Sequence, residues 1–65
     1  MWMVIHMASS LKEADEIERI LSAEGFLCKK KAVYKNRARG NTFYEMLVLK
    51  AEAQDARQII SEKFV

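Results

Sequence analysis

Sixty-five residues make one domain, with no room for a second. A lone cysteine, Cys28, excludes a disulfide within the chain, and one cysteine with one histidine falls short of the four ligands of a structural zinc site. A hydrophobic share of 51% and a net charge of only +2 fit a packed domain rather than a disordered, highly charged tail.

A domain this short buries only about 60% of the surface of its unfolded chain, so its stability is marginal. Without a disulfide or metal, self-association is the expected compensation. No apolar run approaches the roughly 18–20 residues of a membrane span. The opening Met-Trp-Met-Val-Ile has no Lys or Arg before Lys12, unlike a secretory signal. A cytoplasmic location is expected, in keeping with one unpaired cysteine.

Five elements follow in chain order. Residues 2–8 are apolar, include Val4 and Ile5, and read as a largely buried strand. Ser10-Leu11-Lys12-Glu13 has capping-box spacing, which predicts that the Ser10 hydroxyl accepts from the Glu13 amide while the Glu13 carboxylate accepts from the Ser10 amide. The helix that follows places Ala14, Ile17, Ile20 and Leu21 on one stripe, with Lys12, Asp15, Glu16, Glu18 and Arg19 mostly toward water. Gly25 stops it, since glycine enters the left-handed region without a Cβ clash, and Phe26 is expected to pack back on Leu21.

Residues 27 to about 35 form the second strand and 42–50 the third, joined by a polar stretch with two Asn and one Gly. That is turn chemistry, and a hairpin is expected. Lys29, Lys30 and Lys31 mark the second strand as an edge. Phe43 to Leu49 is the most apolar stretch and reads as central. A final helix over about residues 52–64 carries Ala53, Ala56, Ile60 and Phe64 at spacings of 3, 4 and 4, with Ile59 beside them.

The predicted fold is α+β in the order β-α-β-β-α. It is a three-stranded antiparallel sheet of order 1-3-2 with two helices on one face, ferredoxin-like without its last strand. Strand one is then an apolar edge, covered either by the two helices and Val65 or by a second copy that pairs there or packs on the open sheet face, with Trp2, Met3 and Ile5 as the candidate self-association residues.

Catalytic constellations are nearly absent. His6, the only histidine, lies in an apolar strand and reads as a structural residue, with Ile5 and Met7 on the opposite face. Cys28 precedes three lysines, which favour a thiolate, yet no local base accompanies it, and it reads as a small apolar filler. Glu45 is expected to lie across from residues 29–31 as a charge pair. No phosphate-loop, dinucleotide or HExxH motif occurs. An enzyme is not expected, and no catalytic, metal or cofactor residues are assigned.

Charge distribution carries the strongest signal. From Gly25 to Phe43 there are six basic residues and no acidic one, against five basic and nine acidic elsewhere. Lys29, Lys31, Lys35, Arg37 and Arg39, with Tyr34 and Tyr44 nearby, are the candidate contacts for an anion or nucleic acid. The alternatives are a solvated edge strand and turn that gain solubility from lysine, and an acidic protein surface, helix one of a second copy included. Strand alternation turns Lys30 away from Lys29 and Lys31.

The apolar first strand, the helix from Lys12 to Leu21 with Ala23-Glu24-Gly25-Phe26 after it, and the closing stretch from Val48 to Ile60 together resemble the prokaryotic signal-transducing protein family. These are short bacterial domains of unknown function whose fold is PII-like or ferredoxin-like. The resemblance spans most of the chain and implies a regulatory role. It implies no catalytic or ligand-binding residue.

Overall fold

The computed structural model describes residues 1–36 and 41–64, and of 35, 36 and 41 the backbone only. Strand β1 (Trp2–Ala8), helix α1 (Leu11–Ala23), strands β2 (Cys28–Asn36) and β3 (Asn41–Leu49), a 3-10 turn (Lys50–Glu52) and helix α2 (Ala53–Lys63) follow in the predicted order. The sheet runs β1-β3-β2 with β3 antiparallel to both neighbours. Asn36 pairs with Asn41, so β2 and β3 form the expected hairpin; residues 37–40 lie outside the described residues. The 3-10 turn ahead of α2 is an addition to the predicted elements.

Helix α1 begins and ends as its sequence dictates. The Ser10 hydroxyl accepts from the Glu13 amide at 3.1 Å, fixing the N-cap. At the other end Gly25 takes φ +91, the Gly25 amide donates to Ser22 O and the Phe26 amide to Leu21 O. This is a Schellman closure, and Phe26 packs against the core that contains Leu21.

The core lies between the helices and one sheet face. Ile17, Leu21, Met46 and Val48 are its largest fully buried side chains, and Ala8, Ala14, Ile20, Ala53, Ala56 and Ile60 are buried with them. The predicted inward stripes of both helices are therefore correct. Cross-strand partners share a face, so Met46 and Val48 bring His6, Met3, Lys30 and Cys28 to the helix side.

Strand β1 departs from simple alternation. Val4 pairs with Leu47 but His6 pairs with Met46, so two residues advance against one and Ile5 is the extra residue of a β-bulge. The bulge changes the phase of the strand. Trp2 and Val4 face away from the helices, yet His6 and Ala8 face them. Ile5 also packs on the core, so only Met7, not Ile5, lies opposite His6. A second register shift lies between Tyr34 and Asn36 in β2.

Candidate functional site

Three groups of side chains carry the chemistry of this surface. The first joins β1 to α1. His6 Nε2 lies 2.8 Å from Glu13 Oε2, and a carboxylate only accepts, so the ring proton sits on Nε2. Glu13 Oε1 accepts from the Ser9 hydroxyl at 2.9 Å and from the Ser9 amide at 3.4 Å. The capping carboxylate thus serves Ser9 and His6 rather than the Ser10 amide. The bulge explains this, because it turns His6 toward the start of α1. The Phe64 ring meets the imidazole edge-on at 5.8 Å.

The order of these contacts matters for chemistry. Ser9 donates its hydroxyl proton to the Glu13 carboxylate rather than to the imidazole. Hydrogen bonding from His6 holds the Glu13 carboxyl below its ordinary 4.5, outweighing burial. A carboxyl lowered on folding contributes stability that is full above its unfolded value and is lost as pH falls through its folded one. Glu13→Gln is therefore expected to lower the melting temperature at pH 7 by about 4–8 °C, for a loss of about 1 kcal/mol. The gap from the native protein is expected to close as pH drops below 4.5, the ordinary carboxyl value. Thermal melts from pH 7 to pH 2.5 measure it; a gap independent of pH would contradict the assignment.

The second group ties β2 to α1. Lys30 Nζ lies 2.6 Å from Asp15 Oδ1 and 3.6 Å from Glu18 Oε1. The Asp15 contact, reinforced by Glu18, raises the Lys30 ammonium above its ordinary range. Beside them, burial and the Glu18 charge push the Cys28 thiol up, against a weaker opposite pull from Lys30. Cys28 packs on the core as the small filler its setting predicted, and the local chemistry disfavours its thiolate.

The third group is the sheet face turned away from the helices. Here β1 places Trp2, Val4 and Met7, and β3 places Phe43, Glu45, Leu47 and Leu49. On β2, Lys29, Lys31 and Val33 share this face. Val4 is 39% and Met7 43% exposed, and Leu27, just before β2, is 65% exposed. Lys29 Nζ stands 4.1 Å from the centroid of the Trp2 ring, reaching across β3. Glu45 stands directly across the strands from Lys31, where the sequence places it, but the two side chains form no ion pair within 4 Å. A shallow depression of about 580 Å³ opens at the Trp2–Leu49 end, lined by Met1, Leu49, Lys50 and Ala51.

The candidate residues are thereby sorted. Of Trp2, Met3 and Ile5, only Trp2 lies on the open face; Met3 and Ile5 pack against the core, and Met3 Sδ accepts from Arg57 at 3.8 Å. Of the basic set, Lys29 and Lys31 share the open face. The backbone of Lys35 lies in β2, while Arg37 and Arg39 fall outside the described residues. The expected tyrosines stand in the other rows: Tyr44 packs on the core and Tyr34 pairs with Thr42, leaving Trp2 and Phe43 as open-face aromatics. Val4, Met7, Leu47 and Leu49 were hidden from sequence reading, because an apolar run with no polar alternation gives no face.

Among the described residues no three His, Cys, Asp or Glu side chains converge as metal ligands, and no helix is long and apolar enough to cross a membrane. Fold and surface together define a two-layer α+β domain with one sheet face covered by helices and the other open. Comparison with protein-family models, with curated proteins and with solved structures finds no match.

Proposed function

We propose that this chain is a small non-enzymatic interaction module that works by self-association, with a regulatory role of the kind implied by the signal-transducing family it resembles. One observation carries this reading: the sheet face opposite the helices is open and carries Trp2, Val4, Met7, Leu47 and Leu49 beside Lys29, Lys31 and Glu45. A contiguous apolar surface on a small domain marks an interaction site. Marginal stability at 65 residues gives the chain a thermodynamic reason to cover that surface. In a reducing cytoplasm Cys28 stays a thiol, in keeping with its packing against the core.

Sedimentation equilibrium over about 1–300 μM tests the proposal. The expected mass rises with concentration from 7.5 kDa toward twice that value. A constant 7.5 kDa throughout would overturn it. If that monomer bound a short single-stranded oligonucleotide with an affinity falling steeply in salt, Lys29 and Lys31 would be phosphate contacts and the module a nucleic-acid binder.

A further inference from the structure

Helix α2 ends on light attachments. Lys63 Nζ reaches Glu24 Oε2 only at 3.9 Å, with both side chains exposed, and a long exposed pair of this kind holds little. The Phe64 amide closes the helix on Ile60 O at 2.9 Å. The Phe64 ring packs on the core and meets the His6 ring edge-on.

His6 is fixed in turn by Glu13. The bulge at Ile5 turns the imidazole to the helix side, where Nε2 donates to Glu13 Oε2. Glu13 Oε1 accepts from the hydroxyl and the amide of Ser9. One carboxylate therefore gathers β1, the start of α1 and, through the imidazole, the end of α2.

The grip depends on the charge of that carboxylate. A protonated carboxyl carries an O–H donor on one oxygen. On Oε2 the proton faces the His6 N–H, donor against donor. On Oε1 it faces the Ser9 amide, and His6 keeps an uncharged acceptor, a bond about half as strong. Either way the ring that steadies Phe64 is loosened, and a terminal helical turn needs little more than that to open.

The surrounding charges are engaged elsewhere. On α1, Asp15 is held by Lys30 and Glu16 by Arg19, and Lys12 is exposed. On α2, Lys63 turns to Glu24, and Glu62 accepts from Gln58. On β3 the partner of His6 is the apolar Met46, and Glu45 lies on the opposite sheet face. The hydrogen bond from His6 foremost, opposed by burial and helped by Ser9, holds the Glu13 carboxyl below its ordinary 4.5, so its grip is full above that pH and is lost as pH falls through the lowered value.

We infer that Glu13 and His6 form an acid-release clasp on the end of α2: when Glu13 takes up a proton the imidazole is freed, and the turn around Phe64 lifts from the sheet while the core stays packed.

Nuclear magnetic resonance of the isotopically labelled chain from about pH 7 to about pH 3 tests this, following the Glu13 carboxyl carbon, the Phe64 ring protons and the Leu21 and Met46 amides. Below pH 4.5 the Phe64 ring is expected to shift in step with the Glu13 carboxyl, with Leu21 and Met46 unmoved. In Glu13→Gln that step disappears. His6→Gln, whose amide can still donate to Glu13 but offers Phe64 no ring, keeps the test available should Glu13→Gln lose its fold; there the Glu13 carboxyl still titrates and Phe64 no longer follows. A native protein with no Phe64 step, or a step that persists in either variant, overturns the clasp. So does a step in which Leu21 and Met46 move with Phe64, since that is global unfolding.

Discussion

Met46→Lys is expected to leave no cooperatively folded protein, whereas Leu47→Lys, one residue along, keeps the monomer folded. The two positions are neighbours on the central strand and differ only in face. Met46 is fully buried between β3 and the helices. A lysine there loses its hydration without gaining a carboxylate, for among the described residues no charged side chain lies in the buried core. The penalty for an unpaired buried ion is several kcal/mol. A domain of this size holds only about 3–10 kcal/mol in all, at ~0.05–0.15 kcal/mol per residue. Leu47 faces the open side, where the ammonium reaches water. Far-UV circular dichroism and thermal melts at low concentration separate the outcomes. A cooperative melt of Met46→Lys within about 10 °C of the native protein would refute the strand phase.

Leu21→Ala is expected to lower the melting temperature by more than about 10 °C, while Leu11→Ala, in the same helix, changes it by no more than a few degrees. Leu21 is fully buried; Leu11 is 50% exposed. Truncating a buried leucine removes about 2–5 kcal/mol through lost transfer energy and the cavity left behind. Each ~1 kcal/mol is worth ~4–8 °C in a domain of this length. Surface truncation stays within about 0.5 kcal/mol. Leu21 also accepts the Phe26 amide on its carbonyl, but that backbone bond survives the substitution, so the effect measures packing alone. Equal melting temperatures for the two variants would show that the core does not hold the fold.

The elements that were legible in the sequence are those whose signals are local. Ser10 and Gly25 bracket α1 through side-chain and dihedral chemistry within a few residues. The stripes of Ala14, Ile17, Ile20 and Leu21, and of Ala53, Ala56 and Ile60, repeat at the helical period. Strand order followed from the apolar content of β3 against the lysines of β2. The phase of β1 was not legible. A run of apolar residues satisfies both faces equally, and nothing in Val4-Ile5-His6 announces a bulge. Simple alternation sets Ile5 opposite His6, whereas the bulge packs Ile5 on the core and brings His6 to Glu13, a contact that the cap spacing alone does not announce. Lys30 was read as turned away from its neighbours, but its partners Asp15 and Glu18 stand on another element and no local pattern joins them.

Lys30 has a consequence for fibril formation. In the native domain its ammonium is neutralised by two carboxylates supplied by α1. Were β2 to peel from the helix and template a cross-β stack, successive chains would repeat every ~4.8 Å and line up Lys30 in a row. The acids would be absent from that row, since they belong to a helix the stack cannot include. The same charge that fastens the outer strand to its own helix makes that strand a poor seed for amyloid growth.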